Sequence, residues 1–364
     1  MAQQASAGKA APKRKPRLMK QANMNRVLYA LTPVLLVAIY FYGWRVLAMT
    51  AVACMAAGIT EFITSRRRGS PVSTAAFVTG ALLALSLPPM TPYWIAAIGA
   101  AVGILFGKEV FGGFGRNFAN PAILGRAFIY VCFPPDMTTT FVPAFEGFPA
   151  GFVHWSFMDL AELPGRLSAQ GLSMADAMSQ ATPMWLQKNL GVGYDLWNSF
   201  LGNIGGLFHA EEQTRILAGS SVGEGSVPVL LAAGAYLIYT GTANWRLTVG
   251  MLAGVVAGGF AFNHIAGGTI GGPLFHLLNG ATAYVAVFMI TDPVSAPKKR
   301  PAQWIYAVLA GVLVVLLRWR SPFVDGTSFA ILTVNLAGPL LDMGSEAMAA
   351  RGKAKEGASQ GAAS

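Results

Sequence analysis

Four carboxylates stand at the ends of long apolar runs, where a charged group needs either a partner or a function. They are Glu61, Glu109, Asp292 and Asp342. A carboxylate at the centre of a bilayer costs at least about 2.5 kcal/mol. Because carboxylate oxygens suit hard cations such as Na⁺, the four together predict a ring at a cation entrance. The alternative is that each is solvated at a helix end or held in a salt bridge.

A glycine-rich run, residues 107–126, brings a second group of polar residues to the end of an apolar segment. Its glycines permit tight backbone paths and the close approach of a ligand. Asn120 followed by Pro121 is typical of a helix start, where an anion or a polar ring edge can bind. The expected donors to such a ligand are Arg116, Asn117, Asn120 and Arg126. The run therefore predicts either a buried polar ligand site or a helix-breaking elbow.

Apolar helices must position these residues. The 364-residue chain is 54% hydrophobic and only 12% charged, whereas a soluble domain carries roughly 25% charged residues. Apolar runs that approach about 20 residues indicate membrane spans. The sequence therefore predicts an all-α polytopic membrane protein. We expect about ten transmembrane helices, at residues 27–43, 46–63, 74–89, 92–107, 118–134, 228–241, 247–265, 273–290, 303–318 and 327–342.

The basic residues predict how the chain is oriented. They concentrate in the first 26 residues, in alternate short loops and near the C-terminus. The positive-inside rule then places both termini in the cytoplasm and the only long loop on the outer, periplasmic face. The predicted organisation is a disordered basic tail at 1–26, a first half at 27–134, the periplasmic loop at 135–227, a second half at 228–343 and a cytoplasmic tail at 344–364. The first tail lacks the features of a cleavable signal peptide and can contact anionic membrane lipid.

Each half contains five predicted spans and one polar, glycine-rich break, the first at residues 107–121 and the second at 263–273. Breaks in matching places favour paired repeats built with discontinuous helices. Since five is odd, the two halves would have inverted topology. Broken helices by themselves also fit a channel or secondary transporter without redox chemistry.

Several other functions find little support in the sequence. The net charge is +10, but no basic helix or aromatic platform accompanies it, so nucleic acid is not an expected partner. Cys54 and Cys132 both lie in apolar runs without a CxxC pattern, and buried small residues are the simplest interpretation. The four histidines are scattered, and no metal site is expected.

Several separated motifs resemble one known family. The run from Gly107 to Phe128 is similar to the signature of the B subunit of the sodium-translocating NADH:quinone oxidoreductase. The D subunit of the Rnf complex is the next nearest family. The resemblance covers about residues 46–343, and its motifs occur in the same order as in that family. The further motifs are Ala57–Glu61, Gly202–Ile204, Ser221–Glu224, Thr242–Arg246, Thr291–Ala296, and Asp325–Gly326 followed by Asn335 and Asp342.

The resemblance implies covalent FMN on the outer loop. In that family a threonine in an Asp-Gly-x-Ser-Gly-Ala-Thr motif carries FMN through a phosphodiester. By position this residue is Thr182, with Asp176 and Ser179 matching the motif. Ala177 and Gln180 depart from it, because the family has glycine at both positions.

The resemblance also implies a second cofactor and a set of partners. A non-covalent riboflavin is expected in the membrane part, near Asn117, Asn120 and Arg126. The region of Ala57, Gly58 and Glu61 resembles the part linked to quinone, and Asp292 and Asp342 complete the expected quinone or ion pathway. The implied protein is a subunit of a six-subunit complex in a bacterial inner membrane that passes electrons from NADH toward quinone and moves Na⁺. An Rnf-type D subunit and a structural scaffold are the alternatives.

Overall fold

The computed structural model describes residues 18–19, 21–145, 147–156, 182–191, 195–204, 207–210, 214–217, 219–321 and 326–361. Asp176 and Ser179 lie outside the described residues, as do residues 1–17 and, in the predicted periplasmic loop, 146, 157–181, 192–194, 205–206, 211–213 and 218. Thr182 is described.

The first half consists of five apolar helices, each at a predicted span. They are α1 (Ala22–Tyr42), α2 (Arg45–Arg68), α3 (Ala75–Leu85), α4 (Tyr93–Ile104) and α5 (Pro121–Cys132). A five-residue π-helical turn, Leu105–Glu109, prolongs α4. α1 and α2 meet at Gly43, which has a φ of 85°. A Cβ at Gly43 would lie 2.6 Å from the carbonyl oxygen of Trp155, so only glycine fits this close approach.

A two-residue strand, β1 (Leu18–Met19), precedes α1 and pairs parallel with β2 (Val72–Ser73). The Thr74 hydroxyl donates to the Met19 carbonyl at 3.0 Å. These contacts hold the segment before α1 against the loop between α2 and α3.

The segment between the halves contains short elements. They are α6 (Pro134–Thr139), a 3₁₀ turn at Ala150–Val153, α7 (Pro183–Leu190), α8 (Leu196–Leu201), the strands β3 (Leu207–Ala210) and β4 (Thr214–Leu217), and a 3₁₀ turn at Val222–Glu224. The two strands pair antiparallel, with Leu207 opposite Leu217.

The second half also follows the predicted spans. Its helices are α9 (Val227–Tyr239), α10 (Trp245–Ile265), α11 (Pro273–Leu278), α12 (Thr282–Tyr284), α13 (Arg300–Arg320) and α14 (Thr327–Gly361). A second π-helical turn, Val285–Met289, prolongs α12. The predicted span 273–290 is therefore not one helix. It is interrupted around Asn279 and Gly280, where Gly280 has a φ of 69°.

Within the described residues, four helices are long and apolar enough to cross a membrane, namely α1, α2, α10 and α13. Three shorter apolar helices, α3, α5 and α9, accompany them. Together with the low charged fraction, these helices make the chain a multi-pass membrane protein. A helix satisfies all its backbone hydrogen bonds internally, which lipid requires.

The two halves pack their helices in the same order. α2 lies against α3 and α4, and α10 lies against α11 and α13. Glycines permit the closest approaches, because a Cβ at Gly80 would lie 2.6 Å from the Cα of Cys54 and one at Gly254 would lie 2.3 Å from the carbonyl oxygen of Val308. The inverted orientation of the halves stays a prediction.

Buried hydrogen bonds join the halves. Tyr284 donates through its hydroxyl to the Leu82 carbonyl at 3.0 Å. Arg126 donates from one guanidinium nitrogen to the hydroxyls of Thr327 and Ser328, each at 3.2 Å. Because these side chains are almost fully buried, the two halves form one continuous core.

Candidate functional site

Glu61 and Lys108 form a buried ion pair between α2 and the turn after α4. The Lys108 Nζ atom lies 2.5 Å from Oε2 of Glu61, and the two side chains are 1% and 2% exposed. Ser73 completes the arrangement. Its hydroxyl accepts a hydrogen bond from Lys108 at 3.0 Å, and its backbone N–H donates to Oε1 of Glu61 at 2.8 Å.

Glu109 extends this arrangement toward the surface. Its Oε2 atom pairs with Arg68 and accepts a hydrogen bond from the Thr64 hydroxyl at 2.6 Å. Its Oε1 atom is buried without a hydrogen-bond partner among the described residues and lies 3.9 Å from Lys108 Nζ. Two carboxylates thus face two cations. We call these six residues, Glu61, Thr64, Arg68, Ser73, Lys108 and Glu109, the charge cluster.

The π-helical turn explains how consecutive residues both enter the charge cluster. A π-helical turn adds a residue to the helical repeat and is frequent at functional sites. Lys108 and Glu109 end this turn and both are buried. Gly107 allows α5 to approach, since a Cβ there would lie 3.0 Å from the Cα of Pro121. The chain then turns through glycines with positive φ, among them Gly112 at 109° and Gly113 at 96°.

A pocket lies beside the charge cluster, where residues from both halves meet. We call it the inter-half pocket. Its lining includes Asn23, Lys108, Phe114, Asn117, Asn120, Phe288 and Asp292. The pocket therefore carries one buried cation, one carboxylate, amide groups and aromatic rings.

Three of the predicted donors of the glycine-rich run, those expected near riboflavin, occupy different places. Asn117 lines the pocket, and its Oδ1 atom is buried with no hydrogen-bond partner among the described residues. Asn120 also lines the pocket, but its side chain accepts from the Ala122 N–H at 2.9 Å and donates to the Met289 carbonyl at 3.1 Å. Arg126 is not among the lining residues. Of the two that line the pocket, only Asn117 has a side-chain oxygen without a hydrogen-bond partner among the described residues.

The four predicted carboxylates do not form one ring. Glu61 and Glu109 belong to the charge cluster. Asp292 lines the inter-half pocket and accepts hydrogen bonds from the Val294 N–H and the Ser295 hydroxyl, both at 3.0 Å. Asp342 accepts from the backbone N–H groups of Lys298 and Lys299, the latter at 2.9 Å. It therefore holds the start of α13, as the alternative of a satisfied helix-end group predicts.

The residues predicted to lie near quinone, Ala57, Gly58 and Glu61, all belong to α2. Ala57 is fully buried. Gly58 lies one turn before Glu61, and a Cβ there would lie 3.2 Å from the Phe77 ring. The structure thus brings Gly58 to the surface of α3 and Glu61 to the charge cluster.

Thr182 is the N-cap of α7, and its hydroxyl accepts from the Trp185 N–H at 3.2 Å. α7 is tied to the second half at two points. The Lys188 ammonium donates to the carbonyls of Arg318 and Ser321, at 2.9 and 2.5 Å. The Gln187 amide donates to the Thr269 carbonyl at 3.3 Å, within the second glycine-rich break.

The role of Lys108 was not predicted from the sequence, where this residue counted only as a loop charge that indicates orientation. The available signal was a lysine directly beside Glu109 at the end of an apolar run. Nothing in the sequence around Ser73 indicates its role, because only the tertiary structure brings it beside Lys108 and Glu61.

Fold and site define a multi-pass helical membrane protein with a buried charge cluster beside a pocket between its two halves. The chain belongs to the NQR2, RnfD, RnfE family, whose model matches residues 9–349.

Relatives come from two kinds of complex. The B subunit of the Na⁺-translocating NADH-quinone reductase of Pseudomonas aeruginosa (strain LESB58) is 35% identical over 292 residues, 78% of this chain and 63% of that relative. The corresponding protein from Yersinia pestis is 34% identical over 320 residues, 85% of this chain and 67% of the relative. The D subunit of the proton-translocating ferredoxin:NAD⁺ oxidoreductase complex of Clostridium ljungdahlii is 34% identical over 323 residues, 88% of each protein. The chain thus spans less than two thirds of the Pseudomonas relative.

Proposed function

We propose that this chain is the flavin-carrying membrane subunit of a redox-driven ion pump, of the same type as the B subunit of the Na⁺-translocating NADH-quinone reductases. The observation that carries the proposal is the position of Lys108. This residue forms a buried pair with Glu61 and also lines the inter-half pocket. A charge change in the pocket would therefore act on a buried carboxylate, which is what coupling of electron transfer to ion movement needs.

The inter-half pocket is the proposed site of a non-covalent flavin such as riboflavin. The Oδ1 atom of Asn117, which is buried without a hydrogen-bond partner among the described residues, would accept a hydrogen bond from an imide N–H. Phe114 and Phe288 supply aromatic surface. When bound, a flavin supplies one- and two-electron transfer, while the chain binds the ring, orients it and restricts water. Asn120 would act indirectly, by fixing the start of α5, and Arg126 by joining α5 to α14.

The start of α7 fits a covalently attached FMN. A helix N-terminus favours a phosphate group, and Thr182 occupies the N-cap of an eight-residue helix. Its hydroxyl is a suitable anchor, because a phosphodiester leaves the isoalloxazine ring unchanged. Asp176 and Ser179, which lie outside the described residues, are proposed as part of the motif that a flavin transferase recognises.

The remaining sites belong to the proposed quinone and ion pathway. Gly58 and Glu61 lie on one helix and Asp292 lines the pocket, so these residues can connect quinone, flavin and cation. Asp342 is proposed to act near the same membrane surface. The proposed setting is a bacterial inner membrane with both termini in the cytoplasm, inside a six-subunit complex, with Na⁺, quinone and lipid as further partners and no nucleic acid.

A second candidate is the D subunit of an Rnf-type complex. The similarity to the Clostridium relative extends over 88% of that protein, and the name of that relative specifies protons instead of Na⁺. The two candidates share a flavin-carrying membrane subunit and differ in the ion and the electron donor. Na⁺ dependence of turnover separates them.

Covalent flavin tests the proposal directly. The chain produced with its flavin transferase should give a fluorescent band that survives denaturing electrophoresis, and mass spectrometry should place FMN on the tryptic peptide that contains Thr182. Thr182→Ala should remove the fluorescence while the protein still inserts into the membrane. FMN on a different residue would contradict the site, and absence of any flavin would favour a channel, transporter or scaffold.

A further inference from the structure

The ammonium group of Lys108 occupies a position surrounded by three oxygens from three elements. Oε2 of Glu61 lies at 2.5 Å, Oγ of Ser73 at 3.0 Å and Oε1 of Glu109 at 3.9 Å. The lysine side chain is 1% exposed. Carboxylate and hydroxyl oxygens are the donors that hard cations use. The chain's own ammonium therefore stands where a small cation would find ligands.

The charge balance makes these two occupants mutually exclusive. Glu61 and Glu109 carry two negative charges, and Lys108 and Arg68 carry two positive charges, so the charge cluster is neutral as it stands. Uncompensated charge is strongly disfavoured in a buried site. A soluble cation that enters would give excess positive charge unless Lys108 moves away. Arg68 cannot take this role equally well, because its side chain is 31% exposed and pairs with the other oxygen of Glu109.

Two features favour the exchange of Lys108 for another cation. The Oε1 atom of Glu109 is buried without a hydrogen-bond partner among the described residues, so the site holds more acceptor capacity than the ammonium uses. Lys108 also lines the inter-half pocket together with Asp292 and Asn117. Negative charge that appears in the pocket would attract the ammonium away from Glu61.

We propose that Lys108 is a tethered cation that competes with a soluble monovalent cation for the oxygens of Glu61, Glu109 and Ser73. The ammonium holds the site while the pocket is neutral and leaves it when the pocket becomes negative. The competition itself follows from the geometry of the charge cluster, whereas the trigger rests on the proposed function, in which the pocket ligand is a flavin.

The test is equilibrium binding of ²²Na⁺ to the detergent-purified complex in the absence of turnover. Lys108→Met removes the competing charge and retains the aliphatic stem. It should lower the Na⁺ concentration for half-saturation at least tenfold. Lys108→Arg keeps the charge and should not give this gain. Lys299→Met is the surface control, since that side chain is half-exposed and pairs with the exposed Glu346, and its binding should equal that of the unsubstituted complex.

The double variant Glu61→Gln/Lys108→Met tests whether the Glu61 carboxylate supplies oxygens that bind Na⁺. It removes both members of the pair, should accumulate normally, and should lose the tight Na⁺ binding of Lys108→Met. Equal or weaker Na⁺ binding in Lys108→Met than in the unsubstituted complex would overturn the proposal. If Lys108→Met accumulates only when cells grow in high Na⁺, the proposal is supported. If it accumulates at no Na⁺ concentration while the double variant does, Lys108 is a structural counter-ion and the proposal is wrong.

Flavin analysis of the same preparations distinguishes a failure of the proposed function from a failure of the cation competition. Absence of flavin from the unsubstituted complex would reject the proposed function, while tight Na⁺ binding in Lys108→Met would still support the competition. Normal flavin content together with unchanged Na⁺ binding would reject the competition alone.

Discussion

At both glycine-rich breaks a glycine packs closely against a proline, but the two breaks differ in the polar groups that they contribute. A Cβ at Gly107 would lie 3.0 Å from the Cα of Pro121, and one at Gly259 would lie 2.8 Å from the Cα of Pro273. In each half, a glycine thus packs against the proline that starts the helix after the break. The first break carries the adjacent charges Lys108 and Glu109, whereas in the second the Thr269 carbonyl accepts a hydrogen bond from α7.

This difference shows that helix interruption by itself does not specify chemistry. Both breaks expose backbone polar groups that must find partners. At the first break, Arg68 of α2 donates to the Glu109 carbonyl at 2.8 Å, and side chains from α2 and β2 join Lys108 and Glu109 in a charge cluster beside a pocket. At the second, the Gln187 amide donates to the Thr269 carbonyl and so helps to dock α7, whose N-cap is Thr182. The elements that pack against each break therefore decide whether it builds a charge cluster or docks another helix.

The largest effect is expected from Glu61→Ala, which breaks the central pair of the first break. Loss of one partner of a buried ion pair costs about 3–5 kcal/mol, here because Lys108 keeps a buried charge. We expect a lower thermal midpoint in detergent and a higher Na⁺ concentration for half-maximal turnover. Asp342→Ala should also raise that Na⁺ concentration, with a smaller loss of stability. Unchanged Na⁺ dependence in both variants would reject the carboxylate pathway.

Matched glycine substitutions compare the two breaks as packing devices. Gly107→Ala and Gly259→Ala should each destabilise the protein by about 1–3 kcal/mol, the usual range for overpacking. Gly107→Ala should also weaken flavin binding in the inter-half pocket, because it displaces the segment before Asn117 and Asn120. Gly259→Ala should leave that binding intact. Equal loss of flavin in both would show that the breaks are not functionally distinct.

A smaller effect is expected from the asparagines near the breaks. Asn117 and Asn263 each have a buried oxygen without a hydrogen-bond partner among the described residues. Asn117→Ala should weaken retention of non-covalent flavin by about 2- to 10-fold, the equivalent of one net hydrogen bond of roughly 0.5–1.5 kcal/mol. Asn263→Ala is the control and should retain flavin normally. Flavin release during gel filtration measures both.

The smallest effect is expected from Gln187→Ala at the second break. Its hydrogen bond to Thr269 is exposed, and such bonds contribute about 1 kcal/mol or less. The variant should retain covalent flavin and show faster proteolysis of the segment before α8. Lys188→Met, which removes two carbonyl contacts, should increase proteolysis further. Resistance equal to the unsubstituted protein in both variants would mean that other contacts dock α7.

The sequence by itself determined where the helices lie. All ten predicted spans coincide with helical segments, because lipid requires the backbone to satisfy its own hydrogen bonds and thus makes a long apolar run a helix. The break within 273–290 was missed. Asn279 and Gly280 interrupt that run without a change in hydrophobicity strong enough to mark a boundary.

Only the tertiary structure decided which polar residues act together. The four similar carboxylates separate into two in the charge cluster, one at the pocket and one that holds the start of α13. Glu61 and Lys108 are 47 residues apart, and their pairing depends on the packing of α2 against the turn after α4. Local sequence fixes backbone geometry, but a buried charge takes its partner from whichever element the fold brings within hydrogen-bond distance.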